Sequence, residues 1–273
     1  MDIQHKLDNI INKNSSLVCV GLDSDFDKLP THLKNKKNPQ FEFNKAVIDA
    51  THDLVCAYKP NSAFYEALAA NGIDQLKMTS DYIKTKYPEI FIILDAKRAD
   101  IGSTNIGYVK FIFDYLGVDA VTLHPYLGSE ALKPFLDRTD KMSIILCRTS
   151  NPGARETQDV KIDGEEYYKF IAKKVVTSWD QNHNCMLVVG ATYPDELKEI
   201  RKIAGDMTFL VPGIGAQGGD IKKTVKSGLN SMNAGMIINS SRSIIFASKE
   251  TDFAAKAREE TTKLKNLINQ YRD

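Results

Sequence analysis

The chain has 273 residues, of which 42% are hydrophobic, so it can bury one large α/β barrel core or the cores of two smaller domains. Its 36 lysine and arginine residues nearly balance its 35 aspartate and glutamate residues, and the formal net charge is +1. Because this charge is close to zero, the composition argues against nucleic acid or an anionic membrane surface as a partner.

The cysteines and the apolar runs indicate the compartment. None of the four cysteines belongs to a CxxC pair, and each lies in or beside an apolar, strand-like run: Cys19, Cys56, Cys147 and Cys185. They are therefore predicted to be reduced core residues rather than disulfide or zinc ligands. No apolar run approaches the roughly 20 residues of a membrane span, and residues 1–6 lack the apolar stretch of a signal peptide. We expect a cytoplasmic protein.

Short apolar runs alternate along the chain with longer segments of helical periodicity. The predicted strands are Leu17–Gly21, Val55–Lys59, Phe91–Leu94, Ala120–Leu123, Ser143–Cys147, Met186–Val189, Thr208–Val211 and Met236–Ile238. The predicted helices between and beside them include Ile3–Ile11, Phe43–His52, Ile73–Lys86, Thr104–Tyr115, Glu165–Gln181, Asp195–Ile203, Asp220–Ser227 and Thr251–Gln270. Eight strand–helix units in this length predict a single (β/α)8 TIM barrel domain over residues 1–273, with a short helix before the first strand. A doubly wound sheet would usually have fewer strands.

Two polar stretches are predicted to be long loops. Residues Lys28–Gln40 follow the first strand, and residues Asn151–Gly164 follow the fifth. Loops of this length are often lids or disordered. The second stretch and the loop around Gln217 are the candidates for closing over a bound ligand.

The third predicted strand leads into an unusual set of charges. The apolar run Phe91–Leu94 is followed by Asp95, Lys97 and Asp100. Asp95 and Lys97 are two residues apart, so an extended chain points both side chains to the same side. A lysine between two carboxylates keeps its proton, because nearby negative charge favours its charged form. The segment is either a solvated loop or, as we interpret it, a site where an ammonium can donate a proton beside a carboxylate that repels an anion.

In a (β/α)8 barrel, the active site is built from the carboxyl ends of the strands and the loops that follow them. Polar residues of this chain collect at those positions. They are Asp23, Lys59, Asn61, Asp95, Lys97, Thr149, Ser150, Gln217, Ser241 and Arg242. His124 also stands at a strand end, where a hydrogen-bonded structural role is expected. The clustering predicts one polar site at this face of the barrel.

The last two strand ends predict a phosphate site. Residues Gly213–Gly219 form a glycine-rich turn that lets backbone N–H groups approach an anion, and the N-terminus of the following helix favours negative charge. Arg242 adds a fork of donors suited to phosphate. Alone, the turn could be an ordinary αL turn and Arg242 a surface ion pair, but a phosphate site after strands seven and eight recurs in this fold.

The match of this turn to GxGxxG is not a dinucleotide fingerprint. It follows the seventh strand of a long series, and the acidic residue expected about 20 residues later is missing, since the eighth strand ends in Asn239.

These residues resemble a known family. The run Asp95-Ala-Lys-Arg-Ala-Asp100-Ile101, preceded by Lys59, is similar to the active-site signature of the orotidine 5′-phosphate decarboxylases. The resemblance extends, in the family's order, through Leu17-Val-Cys-Val-Gly-Leu-Asp23, Leu123-His-Pro-Tyr-Leu-Gly128, Val188-Val-Gly-Ala-Thr-Tyr-Pro194, Val211-Pro-Gly-Ile-Gly-Ala-Gln217 and Ser241-Arg242. Arg98 departs from the family, in which many members carry an aromatic residue there.

The resemblance implies an enzyme of pyrimidine biosynthesis that decarboxylates orotidine 5′-monophosphate to uridine 5′-monophosphate without a metal or an organic cofactor. Lys97 would protonate C6 of the pyrimidine, Asp95 would lie against the substrate carboxylate, and Lys59 would hold Asp95 and the ribose. A homodimer with shared active sites is also implied, in which Asp100, Ile101 and Thr104 enter the site of the second subunit. The other implied contacts are Asp23 and Asn61 to the ribose, Thr149 and Ser150 to the pyrimidine, and Gln217, Ser241 and Arg242 to the phosphate.

Two other functions fit part of the pattern. DxKxxD also occurs in related magnesium-dependent sugar-phosphate decarboxylases and aldolases, which lack the four-charge set that Lys59 completes here. The chain could instead be a phosphate-ligand binding protein on a barrel scaffold, although binding alone does not need a lysine between carboxylates. Loss of activity on chelation would favour the lyase, and tight nucleotide binding without product would favour the binding protein.

Overall fold

The computed structural model describes residues 3–214 and 220–272. Its main element is a closed barrel of parallel strands, in which each strand pairs with its neighbours along the chain and the last pairs with the first. The strands are β1 (Val18–Gly21), β2 (Ala57–Lys59), β3 (Phe91–Arg98), β4 (Ala120–Leu123), β5 (Met142–Arg148), β6 (Cys185–Val189), β7 (Phe209–Val211) and β8 (Met236–Ser240). The predicted (β/α)8 barrel is confirmed.

Helices alternate with the strands along the chain. They are α1 (Ile3–Asn14), α2 (Pro39–Thr51), α3 (Ala69–Lys86), α4 (Gly102–Val109), α5 (Gly128–Leu136), α6 (Tyr167–Lys174), α7 (Pro194–Ala204), α8 (Ile221–Gly228) and α9 (Phe253–Arg272). Two of them, α4 and α6, continue directly into the π-helical segments Lys110–Leu116 and Val175–Trp179. Short helical turns span Phe26–Lys28, Thr31–Lys34, Ala63–Glu66, Pro152–Ala154, Arg155–Gln158 and Arg242–Ile245.

The boundaries of α7 show how local signals set an element. The helix begins at Pro194, whose fixed φ suits the first helical position. Proline has no N–H to donate, and none is needed there, because the first N–H groups of a helix have no intrahelical acceptor. It ends before Gly205, which takes a φ of 56°, a conformation that a Cβ disfavours. Between these ends, Leu197 and Ile200 are buried three residues apart, so α7 packs through one apolar stripe.

The barrel strands are buried on both faces. Every residue of β1, β4, β6 and β8 is buried. Parallel strands covered by helices have no solvent-facing side, and this is why the sequence shows continuous apolar runs rather than alternation. One hydrophobic core links the strands to the inner faces of the helices.

The first of the two predicted long loops contains regular structure. Within Lys28–Gln40, a helical turn spans Thr31–Lys34, and α2 already begins at Pro39. The turn buries only Leu33. The prediction of an extended loop was therefore wrong for this stretch. With one buried apolar residue, the turn has no hydrophobic periodicity that the sequence could show.

The second predicted loop is also more ordered than expected. After β5, helical turns span Pro152–Ala154 and Arg155–Gln158. A short antiparallel hairpin then pairs Lys161–Ile162 with Glu165–Glu166. Between β4 and β5 lies α5, a helix that contains Pro134.

The four cysteines are buried and unpaired, as predicted. Burial raises the pKa of the Cys56 and Cys147 thiols to about 12, so neither is a reactive thiolate near neutral pH. In residues 3–214 and 220–272, no helix has the length and apolar character needed to cross a bilayer.

Candidate active site

A cavity of about 450 Å³ opens at the carboxyl ends of the barrel strands. Its volume lies in the range of small-molecule sites. Most of the predicted site residues line it: Asp23, Lys59, Asp95, Lys97, Thr149, Ser150, Ser241 and Arg242. The structure therefore brings residues from five strand ends to one place, as the (β/α)8 prediction requires.

Asp95 is the most heavily bonded side chain in this cavity. Its Oδ2 accepts hydrogen bonds from Lys59 Nζ at 2.9 Å and from Asn61 Nδ2 at 3.2 Å. Its Oδ1 accepts hydrogen bonds from Lys97 Nζ at 2.6 Å and from Thr122 Oγ1 at 2.9 Å. Two cations and two neutral donors thus fix both oxygens of a carboxylate whose side chain is only 12% exposed.

Asp95 and Lys59 are both charged near neutral pH. Burial alone would raise the pKa of Asp95, but the ammonium groups of Lys59 and Lys97 outweigh burial and hold that pKa well below its usual range. Burial would lower the pKa of Lys59, but the carboxylates of Asp95 and Asp23 outweigh it and raise that pKa above its usual value. The floor of the cavity therefore carries a permanent ion pair.

Lys97 stands at the open side of the ion pair, with a side chain that is half exposed. Its backbone φ is 46°, in the αL region that disfavours residues with a Cβ. The pairing of β3 with β4 is irregular here, since Leu94 pairs with Val121 but Arg98 pairs with Leu123. Lys97 and Asp95 lie together, as predicted. The cause differs from the one assumed, because a bulge brings the two side chains together and not the alternation of a regular strand.

Asp23 and Asn61 flank the ion pair. One carboxylate oxygen of Asp23 is buried and accepts no hydrogen bond from any described residue. Such an acceptor is suited to a hydroxyl donor of a ligand. Asn61 donates to Asp95, accepts from the N–H of Ala63 at 3.1 Å and does not line the cavity. Its amide is thus directed to the catalytic candidate rather than to the open space.

Ser241 and Arg242 follow β8 and line the cavity where the phosphate site was predicted. The Ser241 hydroxyl donates to the carbonyl of Gly21 at 3.1 Å. A Cβ added to Gly21 would lie 2.7 Å from the Cβ of Ser241, so only glycine permits this close approach of β1 to β8. Gln217, the third predicted phosphate ligand, lies outside the described residues.

The helix after the glycine-rich turn differs from the prediction. Asp220 caps α8, since its side chain accepts a hydrogen bond from the N–H of Lys223 at 3.0 Å. A carboxylate therefore already occupies this helix N-terminus and offsets the positive end of the helix dipole. The predicted help of this helix in binding an anion is correspondingly reduced.

Thr149 and Ser150 line the cavity beyond β5. The N–H of Thr149 donates to Gln158 Oε1 at 2.9 Å, and Gln158 Nε2 donates to Thr149 Oγ1 at 2.8 Å. Two hydrogen bonds thus fasten the segment after β5 to the strand end. On the other side, a Cβ on Gly190 would lie 2.9 Å from the Cβ of Ser150, so a glycine after β6 leaves room for Ser150.

The segment from Asp100 to Thr104 does not line the cavity of its own chain. Ile101 is 58% exposed, although it is a large apolar residue. The segment is nonetheless well anchored, because the buried amide of Asn105 accepts from the N–H of Asp100 at 2.9 Å and donates to its carbonyl at 2.7 Å. Three of the predicted site residues, Asp100, Ile101 and Thr104, are thus held in a defined place away from Asp95's cavity.

Sequence reasoning missed some residues of the cavity. Thr122 donates to Asp95, and its signal was a polar residue inside the apolar strand β4. Asn239 lines the cavity with a buried side-chain oxygen that accepts no hydrogen bond in the described part of the chain. It was noted only as a strand end.

Two other expectations concern residues outside the cavity. His124 Nε2 is hydrogen-bonded to the carbonyl of Ala99 at 3.0 Å, as expected of a structural histidine. Arg98 lines a separate shallow cavity, where it pairs with Glu66 and lies over the ring of Tyr108. The residue that departs from the family therefore leaves the charged set of the main cavity unchanged.

Metal ligation was the alternative use of the DxKxxD pattern. Within residues 3–214 and 220–272, no three His, Cys, Asp or Glu side chains are grouped so that they could hold a metal ion. Both oxygens of Asp95 are already bonded to donors, including two ammonium groups.

Comparison with known sequences agrees with the resemblance that the motifs indicated. The family described as "Orotidine 5'-phosphate decarboxylase / HUMPS family" matches residues 16–257. A curated relative from Cellvibrio japonicus, named orotidine 5′-phosphate decarboxylase, is 48% identical over 98% of each chain. A relative of the same name from Flavobacterium johnsoniae is 48% identical over 100% of this chain and 99% of its own.

Solved structures agree with the sequence relatives. The OMP decarboxylase of Leishmania donovani superposes with a TM-score of 0.84 at 34% identity, covering 98% of this chain and 100% of its own. The UMP synthase of the same organism gives a TM-score of 0.86 at 36% identity over 100% of this chain, which spans only 57% of that longer protein. The chain belongs to the orotidine 5′-phosphate decarboxylase / HUMPS family.

Proposed function

We propose that this chain decarboxylates orotidine 5′-monophosphate to uridine 5′-monophosphate, as an enzyme of pyrimidine biosynthesis, with Lys97 as the proton donor. One observation carries the proposal: a buried carboxylate, Asp95, is held between Lys59 and Lys97 at the floor of a nucleotide-sized cavity. Relatives of about the same length carry the decarboxylase name at 45–48% identity, which favours this reaction over a magnesium-dependent lyase.

The charges fit the chemistry of the reaction. Loss of carbon dioxide breaks the bond between C6 and the carboxyl carbon, and the electron pair stays on C6. In our proposal, Lys97 Nζ gives a proton to this carbon, and the resulting amine regains a proton from solvent, which its half-exposed side chain can reach. A cation already fixed where the carbanion develops needs no reorganisation during the reaction.

Asp95 has a complementary part in this proposal. Its ionised carboxylate would lie against the substrate carboxylate, and the repulsion between them is relieved when carbon dioxide leaves. Lys59 keeps Asp95 charged and in place, and the unbonded oxygen of Asp23 is suited to a ribose hydroxyl. In the proposal, Thr149 and Ser150 contact the pyrimidine. Asn61, which was expected at the ribose, acts here by holding Asp95, since its amide donates to that carboxylate and does not line the cavity.

The phosphate would be held by Ser241 and Arg242 together with Gln217. We expect Arg242→Ala to lower kcat/KM for orotidine 5′-monophosphate by about 10- to 100-fold, mainly through KM, because a charge-assisted hydrogen bond contributes about 1.5–3 kcal/mol. Orotidine itself has no phosphate, so its slow turnover should not respond to the substitution. Steady-state kinetics with both substrates checks this, and an unchanged KM for the nucleotide would contradict the phosphate role.

We further propose that the enzyme is a homodimer with shared active sites. Asp100, Ile101 and Thr104 are anchored on an exposed segment away from their own cavity, and large apolar side chains are exposed nearby in sequence at Ile101 and Ile106. A second copy of the chain would cover this surface and receive Asp100 beside Lys97. The charged set around the reacting carbon would then be Lys59, Asp95 and Lys97 with the partner subunit's Asp100, and the formal charges of these four groups sum to zero.

Co-expression of two inactive variants tests the shared site. In a heterodimer of Lys97→Ala and Asp100→Ala subunits, one of the two sites contains both native residues. Random pairing should therefore restore about one quarter of wild-type activity. The matched control combines Lys97→Ala with Asp95→Asn, which lie in the same subunit's part of the site and should not complement. Equal activity of the two mixtures would contradict shared sites.

The compartment is proposed to be the cytoplasm. The four thiols are buried and unpaired, which suits a reducing environment.

Product analysis tests the proposed reaction. Orotidine 5′-monophosphate should yield uridine 5′-monophosphate and carbon dioxide in equal amounts. A protein that binds the nucleotide tightly without forming product would instead be the phosphate-ligand binding protein.

A further inference from the structure

The bulge in β3 leaves backbone groups without strand partners. Leu94 pairs with Val121, and Arg98 pairs with Leu123, so three residues of β3 face the single residue Thr122 of β4. Two of these three residues, Ala96 and Lys97, have N–H groups that the regular ladder does not satisfy. Buried backbone donors need an alternative acceptor.

The Thr122 hydroxyl supplies that acceptor. Its Oγ1 accepts from the N–H of Ala96 at 3.1 Å and from the N–H of Lys97 at 2.9 Å. A hydroxyl has two acceptor sites and one proton, so the proton of Thr122 is left to donate to Asp95 Oδ1, at 2.9 Å. All the hydrogen-bonding capacity of this hydroxyl is used, and Thr122 is only 1% exposed to solvent.

These bonds link Lys97 and Asp95 through a single oxygen atom. Thr122 Oγ1 holds the Asp95 carboxylate on one side and the backbone of Lys97 on the other. That backbone has a φ of 46°, which is unfavourable for a lysine unless its surroundings enforce it. Without the hydroxyl, two N–H groups would lose their acceptor, and the bulge could relax toward a regular strand.

We propose that Thr122 is a positioning residue for the decarboxylation: its hydroxyl holds the bulge of β3 so that the ammonium of Lys97 and the carboxylate of Asp95 stay in register with the reacting carbon. This inference rests on the function proposed above and adds to it a residue outside the charged set. Thr122 moves no proton and acts through Asp95 and Lys97.

Thr122→Val tests the inference, because valine has the shape of threonine without its hydroxyl. We expect kcat to fall by about 10- to 100-fold, the range caused by misplacing a reacting group by about 1 Å. KM should change by less than about threefold, since the phosphate and ribose contacts are untouched. Thr122→Ser keeps the hydroxyl and should restore most of the lost kcat. A role in folding alone would not produce this separation of kcat from KM.

Thr261→Val is the matched control. Thr261 is a fully buried threonine of α9, and its hydroxyl donates to the carbonyl of Ala257 at 2.7 Å. Its substitution should leave kcat unchanged in the folded enzyme. Kinetics should be measured well below the unfolding temperature of each variant, with the fold verified by circular dichroism.

The outcomes separate the two proposals. If the wild type is active and Thr122→Val has the same kcat, the positioning role is wrong and the proposed function stands. The same conclusion follows if Thr122→Val and Thr122→Ser lose kcat equally. A wild type that does not decarboxylate overturns the proposed function and this role with it. If Thr122→Val is insoluble, Thr122→Cys replaces it, because a thiol is a weak donor and acceptor. A Cys variant as active as the Ser variant overturns the inference, and a tenfold lower kcat supports it.

Discussion

Replacing Lys97 by alanine should lower kcat by about 10⁴-fold or more, because the change removes both the proton donor and a fixed positive charge at the reacting carbon. The fold should tolerate the loss. Lys97 is half exposed, and exposed ion pairs contribute only about 0–1 kcal/mol to the free energy of unfolding. Asp95 also keeps Lys59 as a partner at 2.9 Å. Rapid kinetics and a urea titration measure the two effects.

Lys97→Arg separates the proton from the charge. Arginine keeps the positive charge but does not lose its proton in proteins, so this variant should remain nearly inactive if proton donation is essential. Lys256→Ala is the matched control, since Lys256 lies on α9 and pairs with Glu259 at 2.9 Å, outside the cavity. Near-normal turnover of Lys97→Ala would contradict the assignment of the proton donor.

Asp95→Asn should impair both catalysis and folding. The substitution keeps the size of the side chain but removes the carboxylate that pairs with Lys59 at 2.9 Å, and the side chain of Lys59 is only 4% exposed. Removing one partner of a buried ion pair costs about 3–5 kcal/mol of stability. We also expect kcat to fall by about 10³-fold with an unchanged or lower KM, because the asparagine no longer repels the substrate carboxylate.

The stability effect of Asp95→Asn should depend on pH in one direction. The lysines hold the pKa of Asp95 in the folded protein below its value in the unfolded chain. The ionised carboxylate therefore stabilises the fold at pH values above the pKa of the unfolded chain. This contribution is lost as the pH falls toward the depressed folded pKa. The difference in the free energy of unfolding between wild type and variant should therefore be largest near neutral pH and shrink below about pH 4.

Asp137→Asn provides the comparison for that titration. Asp137 is an exposed carboxylate that pairs with Lys133 at 2.6 Å on α5. Its replacement should change the free energy of unfolding by less than about 1 kcal/mol at every pH. If Asp95→Asn were as mild as this control, the buried ion pair would not have the energetic role described here.

The sequence was sufficient to predict the barrel for a physical reason. Strands buried on both faces, such as β4 and β6, must be apolar throughout, and parallel strands must be separated by covering helices. Both requirements leave marks in a single sequence. Because all strand ends of a barrel meet at one face, Asp23, Lys59 and Arg242 could be assigned to one site although they are far apart in the chain.

The sequence could not predict the local geometry that makes the site work. A bulge in β3 depends on its pairing with β4, and pairing is a tertiary property that no local pattern encodes. Thr122 was overlooked for this reason, since its partners lie on the neighbouring strand. The cap of α8 by Asp220 was missed as well, because the phosphate prediction considered the glycine-rich turn and not the residue that ends it.

The most direct test of the account is the loss of orotidine 5′-monophosphate absorbance with purified protein in excess EDTA. The account predicts rapid turnover that EDTA does not reduce, because Lys59, Asp95 and Lys97 supply the charges on which the reaction depends. Absence of turnover, together with activity on a sugar phosphate that appears only with added magnesium, would contradict it.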